Sequence, residues 1–392
     1  MKRSCLMVVS LAGLVLAFTP GAGQAPRRDD PGRPRFGQAV RSPEVTADGR
    51  VTFRFHAPIA KEVFLAREGA KRLTMVKDDQ GTWSVTTEAL EPDFYSYRFV
   101  VDGLPLADPA NPLCVPIVTG GHNSIVHVPG PASLIWEVND VPHGTLHRHC
   151  YRSKSVGEVR DYWVYTPACY DPAARRKYPV LYLLHGVMDD ASAWMTMGRA
   201  NVILDNLIAR GKAEPMLVVC PLGYGFPNVP DRVGELFQAR TNQQKLMDDL
   251  ATSLLDEVVP QVERNYHVAA DPGARAIAGV SMGGVQALYI GLNHRDSFSW
   301  IGSFSGAIVM YGGRYEKFFP GLGGQAKTPP RLLWLSCGSN DFLLDANRRF
   351  RDWVKANKVP CKALETPGAH AWPVWRRNLA EFAPLLFRKT GE

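Results

Sequence analysis

The stretch Gly279-Val280-Ser281-Met282-Gly283 limits what this chain can fold into more than any other. Arg275-Ala276-Ile277-Ala278 before it has the apolar run of a buried strand, and Gly284-Val285-Gln286-Ala287-Leu288 after it begins a helical run. A strand that turns this sharply into a helix needs small residues two positions to either side of the turn. It forces the central serine above the edge of the sheet. That serine then sits at a helix N-terminus, where the dipole favours developing negative charge. The plainer reading is a glycine-rich turn with an idle serine; the strand and helix on either side favour a nucleophile.

The rest of the C-terminal part supplies the sheet such a turn requires. Residues 147–153 and 159–166 read as a hairpin, and Val180–Leu184 as a continuous apolar strand. Helical spacing follows at 201–209, a strand at 216–219, and a long helix over 243–266 with Leu246, Leu250, Leu254, Val258 and Val262 on one face. Beyond the serine, helices are expected at 284–293, 345–356 and 375–387, and strands at 332–336 and 362–365. Buried strands alternating with helices predict a mostly parallel, doubly wound α/β sheet covered on both faces.

Upstream the pattern is all-β. Residues 51–56, 62–65 and 95–101 alternate with period two, and Asp48-Gly49, Gln80-Gly81 and Asp102-Gly103 mark turns between them. Short strands at this spacing predict a small β-sandwich. The expected organisation is therefore a leader over 1–23, a linker over 24–36, a sandwich over 37–130 and the α/β domain over 144–392.

Lys2 and Arg3, the apolar run from Cys5 to Phe18, and the small residues of Thr19-Pro20-Gly21-Ala22-Gly23 have the make-up of a secretory signal peptide. The run is too short for a membrane span, and no later segment is long and apolar enough for one. A secreted or periplasmic location is expected. The net charge of +7 is spread along the chain, without a basic stripe carrying interleaved aromatics, which argues against nucleic-acid binding. Six cysteines follow the leader, at spacings that fit no metal motif; Cys220 and Cys337 read as small apolar residues at strand ends.

A serine hydroxyl needs a base to take its proton. In a sheet of this kind the triad runs serine, acid, histidine along the chain. Only His294 and His370 lie downstream of Ser281. His294 falls at the far end of the helix that starts at the turn, roughly 20 Å away at 1.5 Å per residue, and reads as a cap or surface residue. His370, in a loop after the last strand, is the candidate base. Asp341, just past the preceding strand, is the candidate acid that holds the imidazole tautomer. Asp345 is its rival and reads better as a helix N-cap. The backbone amides of Met282 and Val187 are the candidate oxyanion donors, Val187 following His185-Gly186 at the end of the Val180–Leu184 strand. His185 has the look of a base, but its place favours packing. His143-Gly144 is a second His-Gly with no buried strand before it.

Tyr182-Leu183-Leu184-His185-Gly186-Val187, the Arg199–Ala209 stretch, Gly279-Val280-Ser281-Met282-Gly283, Cys337-Gly338-Ser339-Asn340-Asp341 and Gly368-Ala369-His370 together resemble one family. It is the esterase D or putative-esterase family, most closely its bacterial feruloyl esterases of carbohydrate esterase family 1. The resemblance covers about residues 144–387. It implies the α/β-hydrolase fold, the triad Ser281, Asp341 and His370, and no metal or organic cofactor. Where that family has its pocket, this chain offers Trp194, Tyr224 and Phe226. The segment from Ser42 through Trp83 to Asp108-Pro109-Ala110-Asn111 is similar to family 48 carbohydrate-binding modules, which are early-set Ig-like domains. Two readings stand for Trp83, a platform that stacks on a sugar and a core residue of the sandwich.

The function so implied is an exported serine carboxylic-ester hydrolase, with feruloyl or related hydroxycinnamoyl esters of plant cell-wall polysaccharide such as arabinoxylan as substrate. Acetylated xylan and enterochelin-type siderophore esters are alternatives within the same chemistry. Acyl transfer to a sugar hydroxyl, as in mycolyl transferases of similar fold, and a non-catalytic carbohydrate-binding protein are alternatives of other classes.

Overall fold

The computed structural model describes residues 40–237, 243–306, 308, 315–322 and 329–388. The expected signal peptide and linker lie outside the described residues. Val40–Glu392 forms one compact unit.

Its N-terminal part is two antiparallel sheets. One has the order Glu44–Val45, Val51–His56, Thr82–Thr86, Val76–Lys77. The other runs Leu73–Thr74, Val63–Arg67, Asp93–Val101, His122–Val128, Cys114–Pro116, with Leu104–Leu106 pairing Asp93–Val101. The period-two alternation turns Val51, Phe53, Val63, Leu65, Tyr97 and Phe99 inward to one core. Trp83 belongs to that core, its Nε1 donating to the Ala57 carbonyl at 3.0 Å. As a sugar platform it is corrected: a buried indole that spends its N–H on the backbone has little face to offer.

An eight-stranded sheet follows, in the order Thr145–Arg152, Val159–Thr166, Leu217–Pro221, Val180–Leu184, Arg275–Val280, Trp300–Phe304, Leu332–Gly338, Lys362–Thr366. The first two strands enter antiparallel, and the rest pair in parallel. Val180, Tyr182 and Leu184 point into one helical layer and Leu181 and Leu183 into the other, so both faces are covered. This is the expected α/β-hydrolase architecture behind a small β domain. Among the described residues no helix is long and apolar enough to cross a membrane.

Several boundaries depart from expectation. The Trp300–Phe304 strand has no alternation and carries a central glycine, so its signal is weak. Gly302 is required because Phe382 and Ala278 pack where a side chain would stand. The long helix is interrupted by a π-helical turn over Ser253–Val258. The final helix is Trp372–Phe382 rather than 375–387 and so starts right after the His370 loop; Pro373 in its first turn favours that start.

Candidate active site

Three loops at the carboxyl edge of the parallel strands bring the candidate residues together. Ser281 takes φ 50° and ψ −115°, a backbone conformation that side-chain-bearing residues rarely adopt and that costs about 1–3 kcal/mol. Its amide donates to the Phe304 carbonyl at 2.9 Å. The flanking glycines are needed for close approach. A Cβ at Gly279 would stand 2.4 Å from the Gly283 backbone, and one at Gly283 would stand 2.5 Å from the His185 carbonyl oxygen.

His370 Nε2 lies 3.0 Å from Ser281 Oγ, and its Nδ1 lies 2.8 Å from Asp341 Oδ2. With Asp341 ionised, Nδ1–H donates to the carboxylate, which leaves Nε2 free to accept the serine proton. Asp341 is buried. Burial pushes its carboxyl up, but the hydrogen bond and charge of His370, the Leu343 amide and the Ser305 hydroxyl outweigh this and hold it below the usual value. The acid and base loops are laced together: the Ser339 amide donates to Thr366 and the Asn340 amide to Gly368. Behind the imidazole stands Trp375, its ring perpendicular at 5.0 Å and its Nε1 donating to Ser305 Oγ at 3.1 Å. In front of it, Phe342 keeps 78% of its surface exposed, with its ring 4.7 Å from His370.

The oxyanion donors fall where the elbow meets the Gly186 loop. Met282 begins a helix, so its amide has no intrahelical partner. The Val187 and Met282 side chains pack in one apolar cluster with Tyr224, Phe226, Val229 and Val233. His185 is buried and neutral. Burial pulls its pKa down, its Nδ1–H donates to the Gly186 carbonyl, and its Nε2 accepts from the Gly223 amide. It fastens the oxyanion loop to the neighbouring loop, the packing role its position suggests.

The other candidates separate. His294 caps the far end of the Met282–Asn293 helix, its amide on Ile290. Asp345 is not the N-cap; it lies one residue inside the helix, exposed and 3.7 Å from Arg348. His143 and the Gly144 amide both bond Asp205. Trp194 is corrected from a cleft residue to a core one. It has 0% exposure, and its indole donates to the Leu184 carbonyl and packs edge-on against Trp372 and Phe304. Tyr224 and Phe226 are also buried, so they too are corrected as direct substrate contacts. Tyr224 Oη accepts from the Met188 amide and donates to the Asp189 carbonyl, bracing the oxyanion loop from behind.

Sequence reasoning missed Asp189. A Cβ at Gly186 would lie 3.2 Å from Asp189 Oδ2 and 3.7 Å from Ser281 Cβ, so this carboxyl and the nucleophile both border Gly186 of the oxyanion loop. Burial, with the charges of Glu68 and Asp190, pushes it up to about 8 against a smaller opposing pull from the Gly186 amide. Its place three residues past His185-Gly186 is the signal that could have found it.

A family profile described as putative esterase matches residues 153–386. The endo-1,4-beta-xylanase/feruloyl esterase of Xylanibacter ruminicola is 30% identical over 364 residues, 88% of this chain and 46% of that protein. An acetyl esterase of Caldicellulosiruptor saccharolyticus is 24% identical over 135 residues, 26% of this chain and 51% of its own length. This chain thus spans no more than about half of either relative. The structure of a ferulic acid esterase from Anaeromyces mucronatus in complex with ferulic acid superposes with a TM-score of 0.57 at 23% identity, over 66% of this chain and 96% of that one. The enterochelin esterase of Shigella flexneri superposes with a TM-score of 0.65 at 18% identity, over 89% of this chain and 95% of its own. Both likenesses bear on the fold.

Proposed function

The chain belongs to the putative esterase family, and from that premise we propose that it hydrolyses carboxylic esters by a serine mechanism. The observation that carries the proposal is the series of contacts Ser281 Oγ to His370 Nε2 at 3.0 Å and His370 Nδ1 to Asp341 at 2.8 Å. Ser281 Oγ attacks the ester carbonyl while His370 takes its proton. The carbonyl oxygen gains negative charge and is held by the Met282 and Val187 amides, each such donor being worth about 3 kcal/mol to the barrier. His370 protonates the departing alkoxide, and the C–O bond breaks to leave an acyl-serine. Water, deprotonated by the same imidazole, then releases the acid. Asp341 stays ionised throughout and stabilises the imidazolium.

Feruloyl or related hydroxycinnamoyl esters of plant cell-wall polysaccharide are the proposed substrates, met after export. The xylanase/feruloyl esterase relative aligns with 88% of this chain, so its likeness takes in the sandwich as well. One observation favours a second reading, a siderophore ester: the enterochelin esterase superposes over 89% of the chain and the ferulic acid esterase over 66%. Initial rates on methyl ferulate, acetylated xylan and a catecholate siderophore, each with wild type and Ser281→Ala, test both. Methyl ferulate should be fastest, and Ser281→Ala should lower its rate by several orders of magnitude. Preference for the siderophore would move the substrate to the second reading, and near-normal turnover by Ser281→Ala would remove the mechanism.

A further inference from the structure

The helix that starts two residues after His370 has an unusual beginning. The first amides of a helix lack intrahelical acceptors and ordinarily turn to a capping side chain. Here the N-cap is Ala371, which has none to offer. Val374 and Trp375 return their amides to the Ala371 carbonyl, and Pro373 has no N–H. That leaves the Trp372 amide, and the group that accepts it comes from the sandwich, 304 residues away: Glu68 Oε2 at 3.0 Å. The other carboxyl oxygen accepts the Ser96 amide at 2.7 Å, so Glu68 is itself fixed to its own sheet.

The surrounding contacts concentrate on the catalytic loops. Gly69 follows with φ +67°, and a Cβ there would lie 3.4 Å from Ala371 Cβ and 3.8 Å from Ala369 Cβ, the two neighbours of His370. The Val118 amide donates to the Met188 carbonyl at 2.8 Å, one residue past Val187. Trp372 packs edge-on against Trp375 at 5.2 Å, and Trp375 stands against His370. Docking of the two parts has its own fastening, Arg376 buried on Asp93. The bond from Glu68 is therefore available for something other than docking.

We propose that Glu68 is a positioning residue of the active site: from the sandwich it caps the helix after His370 and thereby fixes the imidazole against Ser281. This rests on the esterase reading above. It gives the N-terminal domain a part in turnover of any ester, small or polymeric, without contact to the substrate.

The test uses the full chain with Glu68→Ala, Glu68→Gln and Leu65→Ala. Leu65 lies in the sandwich core on the strand leading to Glu68, so its truncation weakens the same domain without touching the histidine loop. Hydrolysis of 4-nitrophenyl acetate and the rate of labelling by a small fluorophosphonate are measured well below each protein's unfolding temperature. Glu68→Ala should lower kcat by about ten- to a hundredfold with KM within about threefold, since a small misplacement of a catalytic group costs this much. Labelling, which needs only the serine and its base, should fall in proportion. Glu68→Gln keeps one acceptor oxygen for the Trp372 amide and should recover part of the rate. Leu65→Ala should melt lower yet keep kcat within about twofold, its penalty lying in the core. Wild-type rates in Glu68→Ala, no recovery in Glu68→Gln, or equal slowing in Leu65→Ala would each overturn the proposal while the esterase reading stands. A wild-type chain inert to both ester and probe would overturn both.

Discussion

Replacing Asp93 by alanine should destabilise the whole chain, hydrolase and sandwich together. Asp93 opens the long Asp93–Val101 strand of the sandwich, and Arg376 lies in the last helix of the hydrolase. Both side chains are 0% exposed. Arg376 Nε and Nη2 meet Asp93 Oδ1 at 2.8 and 2.6 Å, while Nη1 donates to the Met197 carbonyl and Nη2 also to the Phe94 carbonyl. Without the carboxylate, two carbonyl dipoles are left to offset a buried cation. Breaking a buried pair from one side costs about 3–5 kcal/mol. Because the Met197 and Phe94 carbonyls still accept from the guanidinium, the lower end, about 3 kcal/mol, is expected.

Thermal unfolding followed by circular dichroism gives the readout. A cooperative unit of roughly 350 residues has an unfolding entropy of about 2.1 cal/mol/K per residue, so each kcal/mol moves Tm by about 1.4 °C and Asp93→Ala by about 4 °C. The double variant Asp93→Leu/Arg376→Met should regain much of the loss, because apolar groups of similar volume often replace a buried ion pair without penalty. Two outcomes would refute the reasoning. In one, Asp93→Ala melts with wild type. In the other, wild type melts in two separate transitions, of which Asp93→Ala moves only the sandwich's.

Two further results are expected. His370→Ala should abolish ester hydrolysis while His294→Ala, at the far end of the elbow helix, keeps near wild-type kcat; the reverse pattern would overturn the assignment of the base. Asp189, with its carboxyl pushed up to about 8, is neutral at pH 7 and gains a charge beside the oxyanion loop above that, so kcat/KM should fall as pH rises through about 8. Asp189→Asn, neutral throughout, should lose that alkaline fall in a pH–rate profile, and an unchanged profile would refute the role.

The parts of this site that could be read from the sequence are those in which local geometry forces the residue choice. Gly279 and Gly283 flank a turn too tight for side chains, and chain order in a doubly wound sheet then narrows the base to His370 and the acid to Asp341. The side of the sheet on which an aromatic ends is not forced in that way. Trp194 and Tyr224 lie near the catalytic edge in sequence, but they are buried behind it, because nothing in the spacing of a large apolar residue separates lining a cleft from supporting one. The Trp300–Phe304 strand, covered on both faces and five residues long, lacks the alternation by which strands are recognised.

Glu68 marks a different limit, and one that sequence can partly cross. Nothing near Glu68 distinguishes it from a surface carboxylate at a turn. The deficit shows at the other partner: Ala371-Trp372-Pro373 begins a helix with no capping side chain, directly beside the candidate base. A buried helix terminus cannot leave its amides unmet without a cost comparable to a lost hydrogen bond. A missing local cap is therefore a sign that some distant segment supplies one. In this chain the segment belongs to the N-terminal sandwich, and the same physical requirement that closes the helix makes that domain part of the support of the catalytic loop.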